Sequence, residues 1–176
     1  MLRRHSPARK GVAAVEVAAI TAFLLVPLMI GIWEVGRMVQ VQQIVSESAR
    51  QGARLAAQGF TINSSGSTTQ VTVNSGAPDV YDTVYQYLMA AGLTQLQKSD
   101  VNVSFQFITP TSSGTYPSDP YLGQKGELFS VTVTVNWAPV RWVNLGIVNP
   151  STITYTVYWQ MLVDDPFTIN DQLPTW

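Results

Sequence analysis

The chain has 176 residues with ten Lys and Arg, eleven Asp and Glu, one histidine and no cysteine, for a formal net charge of −1. Without cysteine there is no disulfide, thiolate metal site or cysteine nucleophile, and His5 alone offers little for proton-transfer chemistry, so the chain reads as no enzyme, with no cofactor. The long outer part is net acidic and lacks a basic patch, which argues against a nucleic-acid partner.

The charges are divided unevenly. Arg3, Arg4, Arg9 and Lys10 precede every acid, so residues 1–11 carry +4 and the remainder −5. The next segment, Val12 to Trp33, has 22 residues and one charge, Glu16. As a helix it spans about 33 Å, enough for a hydrocarbon core of about 30 Å. The basic leader predicts one pass through a lipid bilayer with the N-terminus in the cytoplasm and the C-terminal domain outside. A buried core helix and a secretory signal are the competing readings. The uncharged run from Val17 to Trp33 is long for a signal peptide, and no small-x-small cleavage site follows it promptly.

Glu16 needs a reason, because a carboxylate at the centre of a bilayer helix costs roughly 2.5 to 3.5 kcal/mol. Its place near the basic leader lowers that cost. Its spacing is informative: a cut between Gly11 and Val12 makes Glu16 the fifth residue of a new N-terminus. This resembles the processing site of type IV prepilins, in which a prepilin peptidase removes a short basic leader after glycine. The resemblance implies that Glu16 neutralises the N-terminal amine of a neighbouring subunit during assembly. A buried amine and a buried carboxylate are each costly alone and tolerable as a pair.

Pro27 interrupts the apolar run and is expected to kink or loosen the helix, as a tolerated membrane proline or as a hinge. Beyond Trp33 the helix continues with a changed surface. Val41, Ile44, Val45, Ala49, Gly52, Ala53 and Ala56 recur at three- and four-residue steps, with Gln42, Gln43, Glu47, Arg50 and Arg54 largely between them. Glu34 and Arg37 are spaced to pair on the helix surface, as are Glu47 and Arg50. Gly31, Gly36 and Gly52 are small surfaces that admit a close neighbour. The set Glu34-x-Gly36-Arg37 followed by Ala49-Arg50-Gln51-Gly52-Ala53-Arg54 is similar to the N-terminal signature of TadE-like proteins, minor pseudopilins of the Tad, or Flp, pilus. The resemblance covers roughly residues 9–58, and Val17 stands where many members carry an aromatic.

The helix is expected to end near Gly59, with a Ser/Thr/Gly-rich linker over 59–69. Gln70 to Asn74 reads as a short strand, and Pro78-Asp79 opens a helix to about Ala91 that carries Val80, Val84, Tyr87, Leu88 and Ala91 on one face. Alternation then predicts three strands, on Val101, Val103, Phe105 and Phe107; on Phe129, Val131, Val133, Val135 and Trp137; and on Ile153, Tyr155, Val157, Trp159, Met161 and Val163. The connection over 109–126, rich in Pro, Gly and Ser, reads as a partner surface or a disordered insertion. Trp137, Trp142 and Trp176 read as core or edge packing, and Asp164-Asp165 as a solvated pair.

The predicted architecture is α+β: a leader over 1–11, a transmembrane and amphipathic helix over 12–58, the linker, and an extracytoplasmic domain over 70–176 with a small antiparallel sheet packed by one helix. The resemblance implies a minor pseudopilin taking part in assembly of a Tad-type pilus for surface adhesion. Its partners would be the prepilin peptidase, other pilin or pseudopilin subunits, an inner-membrane assembly platform and the lipid bilayer of a bacterial cytoplasmic membrane. The alternative is a single-pass membrane-anchored binding or sensor protein that never enters a filament.

Overall fold

The computed structural model describes residues 8–108, 117–142 and 149–162, with side chains from Gly11 onward. The leader before Ala8, the first part of the 109–126 connection including Tyr116, and Val163, the Asp164-Asp165 pair and Trp176 lie outside the described residues. The chain forms two compact units: Met1–Val39 with Arg141–Asn149, and Gln40–Val140 with Pro150–Trp176.

One helix, α1, runs from Ala8 to Ala56 through Pro27. In the first unit every α1 side chain from Gly11 to Met29 is exposed, including Val15, Ile20, Phe23, Leu24 and Met29. Such a helix is long and apolar enough to cross a membrane. Water does not stabilise so continuous an apolar surface on a soluble chain.

In the second unit α1 becomes a core element. Val41, Val45, Ala49, Ala53 and Ala56 are fully buried, while Gln42, Gln43, Arg50 and Arg54 are exposed. That pattern reproduces the three- and four-residue period of the sequence. The second helix, α2 (Val80–Ala90), starts at Asp79, whose side chain caps it by accepting from the Asp82 N–H. It stops where Gly92 takes φ +98°, with Gly92 N–H donating to Met89 O and Leu93 N–H to Leu88 O. This left-handed exit with its paired hydrogen bonds is a Schellman motif, sealed by buried Leu88 and Leu93.

Strands β1 (Phe60–Ile62) and β2 (Thr68–Gln70) form an antiparallel hairpin. It occupies the stretch expected to be a linker. The strand expected over Gln70 to Asn74 does not form. That segment is tied irregularly instead: Val71 N–H donates to Gly59 O, Val73 N–H to Asp119 Oδ1, and Thr72 makes an isolated bridge to Asp79.

The main sheet is antiparallel in the order β3 (Val101–Phe107), β4 (Leu128–Asn136), β5 (Thr152–Gln160). Register places Phe107 opposite Phe129, Val131 opposite Val157, and Val135 opposite both Val101 and Ile153. Phe107, Phe129, Val131, Val133, Val135, Ile153 and Val157 point into the core. The other face is polar, with hydroxyl pairs Thr132–Thr156 at 2.8 Å and Thr134–Thr154 at 3.0 Å. The expected helix over 79–91 does pack near this sheet, against β3. It shares that task with α1, whose Gly52 lies beside Val80 and Val84 of α2 and Val131 of β4.

Candidate functional site

The residues singled out by the sequence all fall on α1, but the structure treats them differently. Gly11, Val12 and Glu16 lie on its exposed N-terminal part, and no atom outside the helix lies within 4 Å of the place a Cβ on Gly11 would take. The Gly11–Val12 bond is inside the helix rather than ahead of it. Glycine has poor helix propensity, so this is a point where the helix opens at low cost.

Near the end of the apolar run, Glu34 is buried, with 6 % exposure, and its Oε2 has no hydrogen-bond partner. The surface pair with Arg37 expected from their spacing does not form. The Arg37 guanidinium carbon lies 4.8 Å from the ring centroid of Trp142, a cation–π arrangement. Trp142 also meets Trp33 edge to face, with ring centroids 5.6 Å apart at 87°. Trp142 is therefore not a core residue, whereas Trp137 is buried. The sequence offered no signal for the Trp33–Trp142 contact, because periodicity along α1 says nothing about a residue in the β4–β5 connection.

Gly36 is exposed, with open space for 4 Å around the direction a side chain would take, and Gly31 is equally open. Ile32, Val35 and Gly31, together with Leu24, Pro27 and Leu28, line a shallow apolar recess on the helix. Gly52 is the opposite case. A Cβ there would meet Val84 Cγ2 at 2.7 Å and Val80 Cγ1 at 3.2 Å, so only glycine lets the helices approach this closely.

The charged face of the second unit follows its spacing. Arg50 Nη1 lies 3.5 Å from Glu47 Oε2, and Gln51 Nε2 donates to Glu47 Oε1 at 3.0 Å. Arg54 is exposed in the last turn, where a cation complements the helix dipole. Among the described residues no group of three or more His, Asp and Glu side chains is placed to hold a metal ion. The arrangement suits packing and charge pairing on a helix surface. It brings Gly52 into the domain core and leaves Gly11, Glu16, Gly36, Arg50 and Arg54 facing outward.

A family model described as TadE-like protein matches residues 11–54. No curated protein and no solved structure matches the chain. The matched residues begin at the glycine of the expected cut and end with Arg54, two residues before the end of α1. Over residues 11–54 the chain is thus similar to TadE-like proteins, and an apolar run exposed on every side from Gly11 to Met29, in a helix long enough to cross a bilayer, marks it as membrane-anchored.

Proposed function

We propose that the protein is a minor pseudopilin of a Tad-type pilus, processed by a prepilin peptidase after Gly11 and held in the bacterial cytoplasmic membrane with its C-terminal domain outside. The TadE-like match supports association with this pilus class. The observation that carries the finer reading is Glu16: one exposed acid in the otherwise uncharged run from Val12 to Trp33, the fifth residue of the chain that a cut after Gly11 would leave. In lipid such an acid gains a partner only from a neighbour, and a freed N-terminal amine on an adjacent subunit is a suitable one. Gly31 and Gly36 support the same reading. Each gives up about 1 kcal/mol of helix stability relative to alanine, and among the described residues neither is needed for packing within its own chain.

The test is intact mass and N-terminal sequence of the protein from its native membrane, with and without active prepilin peptidase. A peptidase-dependent start at Val12 is expected. A start at Met1 in both membranes would move the assignment to a single-pass binding or sensor protein. In the processed protein, Glu16→Ala should insert normally and fail to enter filaments; normal filaments from that variant would refute the amine-pairing role.

A further inference from the structure

We infer that Trp142, from the connection between β4 and β5, is a second point of membrane contact, its indole seated beside Trp33 in the headgroup layer where α1 leaves the lipid. The inference rests on α1 crossing the bilayer. Trp33 closes the 22-residue apolar run, so a helix that fills the hydrocarbon places its indole at the interface. Trp142 reaches the same level from a distant part of the chain, in edge-to-face contact with Trp33. Both rings remain open to the surroundings, Trp33 at 64 % and Trp142 at 56 % exposure.

Two exposed indoles in edge-to-face contact are unfavourable in water and favourable where one side is apolar and the other wet. The flanking groups have the chemistry of that layer. Arg37 lies over the outer ring, and Arg141 precedes Trp142, its Nη1 donating to Asn149 Oδ1 at 3.1 Å and so fastening the two ends of the segment. Below this level α1 carries no charged side chain down to Glu16, and Thr21 is its one hydroxyl. This continuity with the spanning surface identifies the occupant as lipid rather than another protein.

The chain has no cysteine, so single nitroxide labels can be introduced without background. Three full-length variants, Leu24→Cys, Trp142→Cys and Thr134→Cys, would be labelled and placed in phosphatidylcholine–phosphatidylglycerol vesicles. Their collision rates with oxygen and with a water-soluble nickel chelate would then be compared. Position 24 should be shielded from nickel, position 134 open to it, and position 142 intermediate, at headgroup depth. Because that label replaces the indole, native Trp142 is read separately. Lipids brominated high on the acyl chain should quench the wild type, and the part of that quenching owed to Trp142 should vanish in Trp142→Phe. Position 142 as open to nickel as position 134, with position 24 still shielded, would overturn this inference and leave the spanning helix intact. The same holds if position 142 becomes shielded only when other pilus subunits are added. Position 24 open to nickel would overturn the spanning helix and, with it, this contact.

Discussion

Glu34 and Asp79 are both buried acids, and their surroundings give them opposite accounts. Asp79 is used by the fold: its carboxylate accepts from the Asp82 N–H at 2.5 Å and its carbonyl accepts from the Thr83 hydroxyl at 2.9 Å. Burial, only partly offset by that backbone hydrogen bond, pushes its carboxyl above the usual range. A carboxyl raised on folding binds more protons in the native state, so its contribution to stability falls as pH rises from the ordinary carboxylate range through the raised value. Asp79→Asn keeps the cap and removes this slope, so thermal unfolding should become flatter with pH across that window. Asp79→Ala loses the cap and should cost about 1 kcal/mol at neutral pH. Glu34, by contrast, has an orphaned Oε2. Glu34→Met should stabilise the purified chain in detergent by about 1 to 3 kcal/mol, read as a higher melting temperature. If a neighbour supplies the missing donor in the assembled state, the same variant should be poorly incorporated. The identity of Glu34 was legible in the sequence, but its burial was not: surface spacing on a helix predicts a partner three residues away, whereas Arg37 lies over the Trp142 ring.

At the level of elements, glycine separates self-packing from surfaces left for others. Gly52→Ala should destabilise the sheet domain by about 1 to 3 kcal/mol, because overpacking exceeds the gain in helix propensity; chemical denaturation of the domain would measure it. Gly36→Ala meets open space and should raise helix stability by about 1 kcal/mol. A loss of filament entry in that second variant would show that another chain uses the space. The sheet was the most legible part of the fold, because strands such as β4 alternate over seven residues, Phe129 to Val135, between Val or Phe and Ser or Thr. The β1–β2 hairpin was not legible. Its strands have three residues each, and the register relies on Thr61 opposite Thr69 rather than an apolar face. Its signal was the turn itself, where Asn63 Oδ1 accepts from Ser65 and Ser67 N–H and Gly66 takes φ +79°.

For the whole molecule, the division near Val39 predicts how the chain can be cut. Residues 40–176 keep the buried positions Val41, Val45, Ala49 and Ala53 with their partners in α2 and the sheet. That fragment should be soluble without detergent and unfold in one cooperative transition, followed by circular dichroism. A fragment starting at Gly59 loses those side chains and should aggregate, as the sheet face they cover becomes exposed. The expected single long helix, apolar in its first half, is present as α1, although its second half proved to be a structural core element as well as a surface for charge.

Pro27 lies within the exposed apolar part of α1, and its ring nitrogen has no hydrogen to give the Phe23 carbonyl one turn back. A helix pulled along its axis resists through bonds of that kind, each nearly parallel to the load. Where one is missing, the helix bends more easily, but lipid offers no partner to further freed N–H and C=O groups, so the rest of the segment stays wound. A sideways load on the sheet domain would therefore be absorbed as a swing at one joint, with no lengthening of the anchor.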